Sequence, residues 1–118
     1  MAEAGLCITL GEVMTGREKQ ALEVYGDTMQ FFGRGQQEGW IERFDVFILG
    51  PSGGDLGGGW LLRGTANQID SLRRSEEYMA LIQRMQLSVN GARVADAFVD
   101  EGLAQVVGGY QKLVGELG

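Results

Sequence analysis

Hydrophobic and polar residues alternate along four short segments of the chain. In the first of them Leu6, Ile8 and Leu10 are separated by single residues of smaller or more polar type. A period of two places successive side chains on opposite faces of a β-sheet. The sequence therefore predicts four strands, in residues 6–13, 40–49, 59–65 and 92–100.

Three other segments repeat their apolar residues every three or four positions, which predicts amphipathic helices. They lie in residues 22–32, 69–85 and 103–117. In the first of them the apolar stripe consists of Leu22, Tyr25, Met29 and Phe32, and we expect the helix to end near the glycines Gly33 to Gly39. The helix starts are marked by residues that accept hydrogen bonds from free backbone N–H groups. Two of these starts have the spacing of a capping box, Thr15 with Glu18 and Thr65 with Gln68. The third is Ser75, which is followed by two glutamates. Because Ser75 lies inside the second helical segment, we expect that segment to be split into a short and a longer helix.

The resulting order, β-α-β-β-α-β with an added C-terminal helix, is typical of an α+β, ferredoxin-like fold. This plan has a four-stranded antiparallel sheet with its helices on one face. We find no linker that would divide residues 1–118, so we expect a single domain. The C-terminal helix either packs on its own sheet or extends a contact with a second copy, and the sequence leaves both alternatives open.

The two faces of the predicted sheet differ in polarity. The strongly apolar set, which we expect to face the helices, comprises Leu6, Ile8, Leu10, Phe44, Val46, Ile48, Trp60 and Leu62. The opposite, mixed face comprises Thr9, Arg43, Asp45, Phe47, Leu49, Leu61 and Arg63. On the fourth strand we assign the small Ala95 and Ala97 to the helix side, and Val94, Asp96 and Phe98 to the mixed face. A mixed but still apolar face is unfavourable in water, so we predict a homodimer with the sheets face to face.

Composition excludes several kinds of chemistry. The chain has 118 residues, a net charge of −6, one cysteine and no histidine. Without histidine, Ser-His-Asp and Cys-His mechanisms are excluded and a structural zinc site is disfavoured. The acidic balance argues against nucleic acid, and no apolar run is long enough to span a membrane. The N-terminal MAEAGLCITL lacks the features of a signal peptide, so we expect a cytoplasmic protein.

The stretch GPSGGDLGGGWLLRG, residues 50–64, has the glycine density of a phosphate-binding loop. It lacks the Lys-Ser/Thr pair of a P-loop, and it lies between two predicted strands rather than between a strand and a helix. Two interpretations remain. The stretch is a hairpin connection that uses glycine for positive φ, or it flanks a ligand pocket.

The order of elements, the split helix TANQIDSLRRSEEYMALIQRMQ and the mixed sheet face resemble the dimeric α/β-barrel superfamily. That superfamily includes antibiotic-biosynthesis-type monooxygenases and YCII-related proteins. The segment GGDLGGGWLLRG leading to LRRSEEY is similar to small uncharacterised bacterial members. The resemblance implies a small organic molecule bound between sheet and helices, by a protein that needs no metal or cofactor. Members that depend on histidine cannot be models for this chain.

Within the mixed face, the polar residues are the candidates for chemistry. A carboxylate in an apolar cleft can act as a base, so we name Asp45 and Asp96. Arg63 is a candidate to hold a carboxylate or an enolate. Candidate ligand contacts are Thr9, Phe47, Leu61 and Phe98. The function indicated is binding of a small, partly apolar molecule, as a cofactor-independent monooxygenase or isomerase. The alternative is a non-catalytic dimeric barrel protein with a structural or stress-related role, in which Asp45 and Arg63 form a cross-strand ion pair.

Overall fold

The computed structural model describes residues 3–50 and 56–117. The elements follow one another as β1 (Ala4–Leu10), α1 (Glu18–Glu38), β2 (Arg43–Ile48), β3 (Gly58–Gly64), α2 (Ala66–Arg74), α3 (Glu76–Gln86), β4 (Arg93–Ala97) and α4 (Asp100–Leu117). The strands form one antiparallel sheet in the order β2-β3-β1-β4. This is the ferredoxin-like arrangement, and it confirms the predicted α+β class.

The core lies between one face of the sheet and helices α1, α2 and α3. Leu6, Ile8, Trp60 and Leu62 project from the two central strands and are almost completely buried. Phe44 and Val94 of the edge strands pack against the same cluster. The predicted apolar face is therefore the helix-facing one. The other face, which we call the open sheet face, carries the alternate residues of the strands: Cys7 and Thr9 of β1, Arg43, Asp45 and Phe47 of β2, and Leu61 and Arg63 of β3.

The helix starts explain why the second helical segment is split. Thr65 accepts a hydrogen bond from the Gln68 backbone N–H at 3.1 Å, and the Gln68 side chain accepts one from the Thr65 N–H at 2.7 Å. Ser75 then accepts a hydrogen bond from the Tyr78 N–H at 3.2 Å and begins α3. Both predicted caps are confirmed. Each satisfies N–H groups that have no partner within the helix.

The predicted cap of α1 is wrong. The helix begins after Arg17, which makes no side-chain cap, and the Glu18 carboxylate accepts a hydrogen bond from the Gly16 N–H instead. The predicted helix end is confirmed, because Gly39 has the left-handed φ of 84° that commonly terminates a helix.

Candidate functional site

A cavity of about 520 Å³ lies on the helix side of the sheet, between the first turns of α1 and the adjoining ends of β2 and β3. We call it the helix-side cavity. Its described lining is mostly apolar or glycine and consists of Leu10, Gly11, Glu12, Val13, Glu18, Ala21, Leu22, Tyr25, Val46, Phe47, Ile48, Gly57, Gly58, Gly59, Trp60 and Val89. A larger depression of about 780 Å³ follows the exposed side of α1, but residues of that one helix form its entire described lining.

The cavity exists because small residues stand where the sheet and α1 would otherwise fill the space. On β3, Gly58 is paired with Leu10 on one side and Ile48 on the other, so the helix side lacks a side chain between them. A Cβ atom at Gly58 would lie 2.5 Å from the Phe47 carbonyl oxygen, which explains why glycine is required there. On α1 the facing residue is Ala21. Ile48 consequently remains 76% exposed, although we predicted it to be core.

Two aromatic rings give the cavity a rigid wall. The rings of Tyr25 and Trp60 are tilted by 35° with their centroids 5.6 Å apart. Trp60 is 1% exposed, and its indole N–H points to the sulfur of Met29 at 3.3 Å. The tryptophan orientation is therefore fixed by its contacts with Met29 and Tyr25, and the buried ring supports the wall of the cavity from behind.

The charges on the described cavity lining are all negative. Glu12 and Glu18 are the charged residues among them, and no lysine or arginine is present. Both glutamates are exposed at the rim. Such a rim repels an anionic molecule and favours an uncharged or cationic one.

The glycine-rich stretch connects two paired strands, as one of our two interpretations held. Its described end also supports the other, because Gly57, Gly58 and Gly59 line the cavity. Residues 51–55 of the stretch lie outside the described part of the chain.

The open sheet face brings Asp45 and Arg63 together. The Arg63 Nε lies 3.6 Å from a carboxylate oxygen of Asp45, and its Nη1 lies 3.3 Å from one of Asp100. The Arg63 side chain is only 16% exposed, against 58% for Asp45. The Arg63 Nε–H is buried and has no hydrogen-bond acceptor among the described residues, since 3.6 Å is too long. Arg43 is directly paired with Arg63 across the strands, so the two acids offset adjacent positive charges.

Our assignment of faces on β4 is wrong. Asp96 is directly paired with Leu6, and Val94 with Ile8, so both lie on the helix side, while Ala95 and Ala97 lie on the open sheet face. Asp96 forms an ion pair with Arg73 of α2 at 2.6 Å. It is thus separated from Asp45 and Arg63 by the sheet. The physical reason is the register of β4 on β1, which the alternation within β4 alone does not determine.

The other predicted ligand contacts are divided among three places. Thr9 and Leu61 lie on the open sheet face and are partly exposed. Leu61 is two residues from Arg63 on β3, whereas Thr9 is paired with Gly59, four residues away from Arg63. Phe47 is paired with Gly59 on that same face and is also among the residues lining the helix-side cavity. Phe98 follows β4, is 57% exposed and lines a separate surface cavity of about 300 Å³ beside Arg73 and Asp96.

Sequence reasoning missed the helix-side cavity. We interpreted Tyr25 as part of a helical stripe and Val46, Ile48 and Trp60 as core. The sequence did contain a signal for it. The start of the predicted third strand is rich in glycine, and a strand segment without side chains leaves space beside the large apolar residues of its neighbours.

Among the described residues we find no group of three or more acidic or cysteine side chains placed to hold a metal ion. In the same part of the chain, no helix combines the length and apolarity needed to cross a bilayer.

No protein-family model matches the chain, and no curated protein matches it. Solved structures do resemble it. A dimeric ferredoxin-like protein of unknown function from Jannaschia sp. CCS1 is 12% identical, with a TM-score of 0.63 over 81% of this chain and 98% of that one. A dimeric protein of unknown function with a ferredoxin-like fold from Bacteroides fragilis is 10% identical, with a TM-score of 0.58 over 81% of this chain and 96% of that one.

The fold is also similar to that of SnoaB, a cofactor-independent oxygenase from Streptomyces nogalater. The identity is 11% and the TM-score 0.55, over 84% of this chain and 95% of that one. At these identities the likeness concerns the backbone arrangement alone. The chain therefore has the ferredoxin-like fold, shared with proteins that are described as dimeric and with a cofactor-independent oxygenase.

Proposed function

We propose that this protein binds a small, largely apolar organic molecule in the helix-side cavity. The observation that carries the proposal is the cavity itself, with about 520 Å³ of space and an apolar, partly aromatic lining. Binding sites for small molecules typically have volumes of roughly 300–1,000 Å³ and are lined by apolar and aromatic side chains. A position between sheet and helices is what the resemblance to the dimeric α/β-barrel superfamily implied, although the candidate residues that we named from the sequence were assigned to the opposite face.

The charge of the lining narrows the class of ligand to uncharged or cationic molecules. Glu12 and Glu18 supply negative potential at the rim, and the face of an aromatic ring such as that of Tyr25 also attracts cations. A carboxylate or phosphate would lose hydration on entry and gain no positive partner there. We therefore expect an apolar amine to bind more tightly than its neutral analogue, and a carboxylate of the same shape to bind least.

A thermal melt with three naphthalene probes that differ only in charge tests this function. Naphthylmethylamine and naphthylmethanol should raise the melting temperature, the amine more, whereas naphthoate should leave it unchanged. At a ligand concentration tenfold above Kd, the expected stabilisation is ~1.4 kcal/mol. Calorimetric titration then gives the affinities directly.

A matched pair of variants locates the binding. Ala21→Leu adds three carbons inside the cavity and should remove the response to the amine. Ala80→Leu makes the same change on an exposed position of α3, outside the cavity lining, and should retain it. Equal responses in the two variants, or a preference for naphthoate, would contradict the proposal.

We further propose that the protein acts as a homodimer through the open sheet face. Cys7, Thr9, Phe47 and Leu61 leave apolar atoms partly exposed there, and helices α1 to α3 pack on the opposite face. Two solved structures of similar fold are described as dimeric. A two-fold axis through this face would bury the exposed atoms of both copies at once.

A second candidate function is cofactor-independent proton transfer at the open sheet face, as in an isomerase or oxygenase. The proximity of the Arg63 guanidinium to Asp45 favours it, because a guanidinium can stabilise an enolate oxygen beside the carboxylate that takes the proton. Asp45 would accept the proton from the carbon beside a substrate carbonyl and later return it. The fold of SnoaB, which is described as a cofactor-independent oxygenase, is compatible with this class of reaction.

Solvent deuterium exchange into an apolar ketone, followed by NMR, tests the second candidate. Exchange that is lost in Asp45→Ala but kept in the surface control Asp70→Ala, with both proteins still dimeric, would support it. If the wild type catalyses no exchange, or Asp45→Ala exchanges at the same rate, Asp45 and Arg63 serve as a structural ion pair. The protein would then be a non-catalytic binding or structural dimer.

A further inference from the structure

The C-terminal helix α4 carries a long apolar stripe that no described part of its own chain covers. Every described residue from 103 to 117 is exposed, and Tyr110, for example, has 68% of its surface in contact with solvent. The stripe repeats with heptad spacing and consists of Leu103, Val106, Tyr110, Leu113 and Leu117. We call these five residues the α4 seam. A seam at positions a and d of a heptad is the pattern by which one helix packs against another.

Within the described part of the chain, the contacts that hold α4 against the rest of the molecule lie at its base. Gly102 is buried so closely against Glu3 that a Cβ atom would clash with the Glu3 carbonyl oxygen. Asp100, in the left-handed region with a φ of 52°, turns the chain into the helix and pairs with Arg63. Beyond this base α4 projects outward, and the radius of gyration is 16.2 Å, above the ~13.5 Å of a compact domain of this length.

The composition of α4 indicates that it needs a packing partner. Gly108, Gly109 and Gly115 lie within it, and glycine is the least favourable helix former apart from proline. An isolated helix of this length is marginal in water even with favourable residues. A helix with three internal glycines and an apolar stripe is therefore expected to be stabilised by burial of that stripe.

We propose that the α4 seam packs against the same seam of a second copy of this chain. A heptad seam is complementary to an identical one, and none of its five residues is charged, so a second copy brings no like charges into contact. The position of its base also favours this partner. Through the Arg63–Asp100 ion pair, α4 starts beside the open sheet face, so one two-fold axis can bring both surfaces of the two copies together. The sequence left open whether this helix packs on its own sheet, and the structure shows that the seam does not.

Thiol cross-linking tests the pairing directly, because Cys7 is the only native cysteine. In a Cys7→Ser background, Leu103→Cys, Val106→Cys, Tyr110→Cys and Leu113→Cys place single thiols along the seam. Gln105→Cys and Gln111→Cys place them outside the seam as controls. Paired helices should cross-link at seam positions on the order of 100-fold faster than at the controls, because the thiols then react at a high effective concentration.

The pattern along the seam reports the orientation of the pair. Cross-links at all four positions indicate parallel helices, and cross-links confined to one position near the axis indicate antiparallel helices; either result supports the proposal. Rates at every seam position equal to those of the controls would overturn it. Leu61→Glu in the same background separates this outcome from the proposed sheet contact. Seam cross-linking and a dimeric light-scattering mass that both survive Leu61→Glu show that α4 pairs independently of the open sheet face.

Discussion

Tyr78 is a residue at which burial is the main cause of a pH dependence. It lies in the first turn of α3, is 5% exposed and belongs to the core cluster. Burial raises the pKa of its hydroxyl above the ordinary value of 10.0, and the nearby Arg73 guanidinium partly opposes this. Because the folded state holds the proton more tightly than the unfolded chain, the stabilisation is complete below about pH 10 and is lost as the pH rises through the folded-state pKa.

We therefore predict that Tyr78→Phe reduces the loss of stability between about pH 8 and about pH 11. Phenylalanine keeps the buried ring but has no proton to release. Urea unfolding at several pH values measures the slope. Parallel curves for the wild type and Tyr78→Phe would contradict the assigned cause.

At the residue scale, the sequence predicted the positions of some charged side chains but not of others. The sequence predicted that Asp45 and Arg63 would meet, because alternation on two neighbouring strands fixes their common face. Asp96 was misplaced because the register of β4 on β1 decides its face, and small alanines gave no hydrophobic signal from which to infer that register. The partner Asp100 was not predicted, since its position depends on the turn into α4.

At the scale of the element, α1 shows how a helix and most of its buried stripe can be predicted while one residue of the stripe is misassigned. We expected Leu22, Tyr25, Met29 and Phe32 to face the core. The buried residues of α1 are Ala21, Val24, Thr28, Phe31, Phe32 and Gly35. Three of them, Ala21, Thr28 and Gly35, are small or polar. Thr28 can be buried because its hydroxyl donates to the Val24 carbonyl at 2.6 Å. Tyr25, Met29 and Phe32 contact the core as predicted, but counting large apolar residues missed the small and polar core residues and placed Leu22 wrongly inside.

Replacing glycine by alanine should change the stability of the protein in opposite directions at two positions of α1. A Cβ atom at Gly26 would meet nothing within 4 Å, whereas one at Gly35 would lie 3.0 Å from the Trp40 ring and 3.2 Å from Ile41. Gly26→Ala should stabilise the protein by about 0.5–1 kcal/mol, because alanine lowers the entropy lost on folding. Gly35→Ala should destabilise it by about 1–3 kcal/mol, because a packed aromatic ring must move. Guanidinium unfolding measures the change in the free energy of unfolding for each variant. Stabilisation by Gly35→Ala would contradict the prediction and show that the Trp40 ring can move without loss of stability.

At the scale of the whole molecule, no described part of the chain covers the open sheet face or the α4 seam, and the Arg63–Asp100 ion pair places the two surfaces next to each other. The fold and the open sheet face could be predicted, because periodicity and caps are local properties of the sequence. The helix-side cavity could not, because it depends on how far α1 reaches along the sheet and on the space left by Gly58. The exposure of α4 is likewise a property of the assembled chain, since its stripe alone fits either its own sheet or a second copy.

If a second copy covers these surfaces, stability must depend on protein concentration. We predict that the melting temperature rises with concentration in the wild type, because the folded dimer is favoured by mass action and the unfolded chains are separate. Leu61→Glu places charges against each other on the open sheet face and should yield monomers with a concentration-independent melt. The control Leu22→Glu changes a leucine that is 73% exposed on α1 and should leave the dimer intact.

Light scattering gives the mass of each protein at the concentrations used for melting. A wild-type monomer whose melting temperature stays constant over a hundredfold range, on the order of 1–100 μM, would refute the open sheet face as an interface. A dimer that persists in Leu61→Glu would instead place the contact elsewhere, and the cross-linking positions along α4 would then show whether the seam alone maintains it.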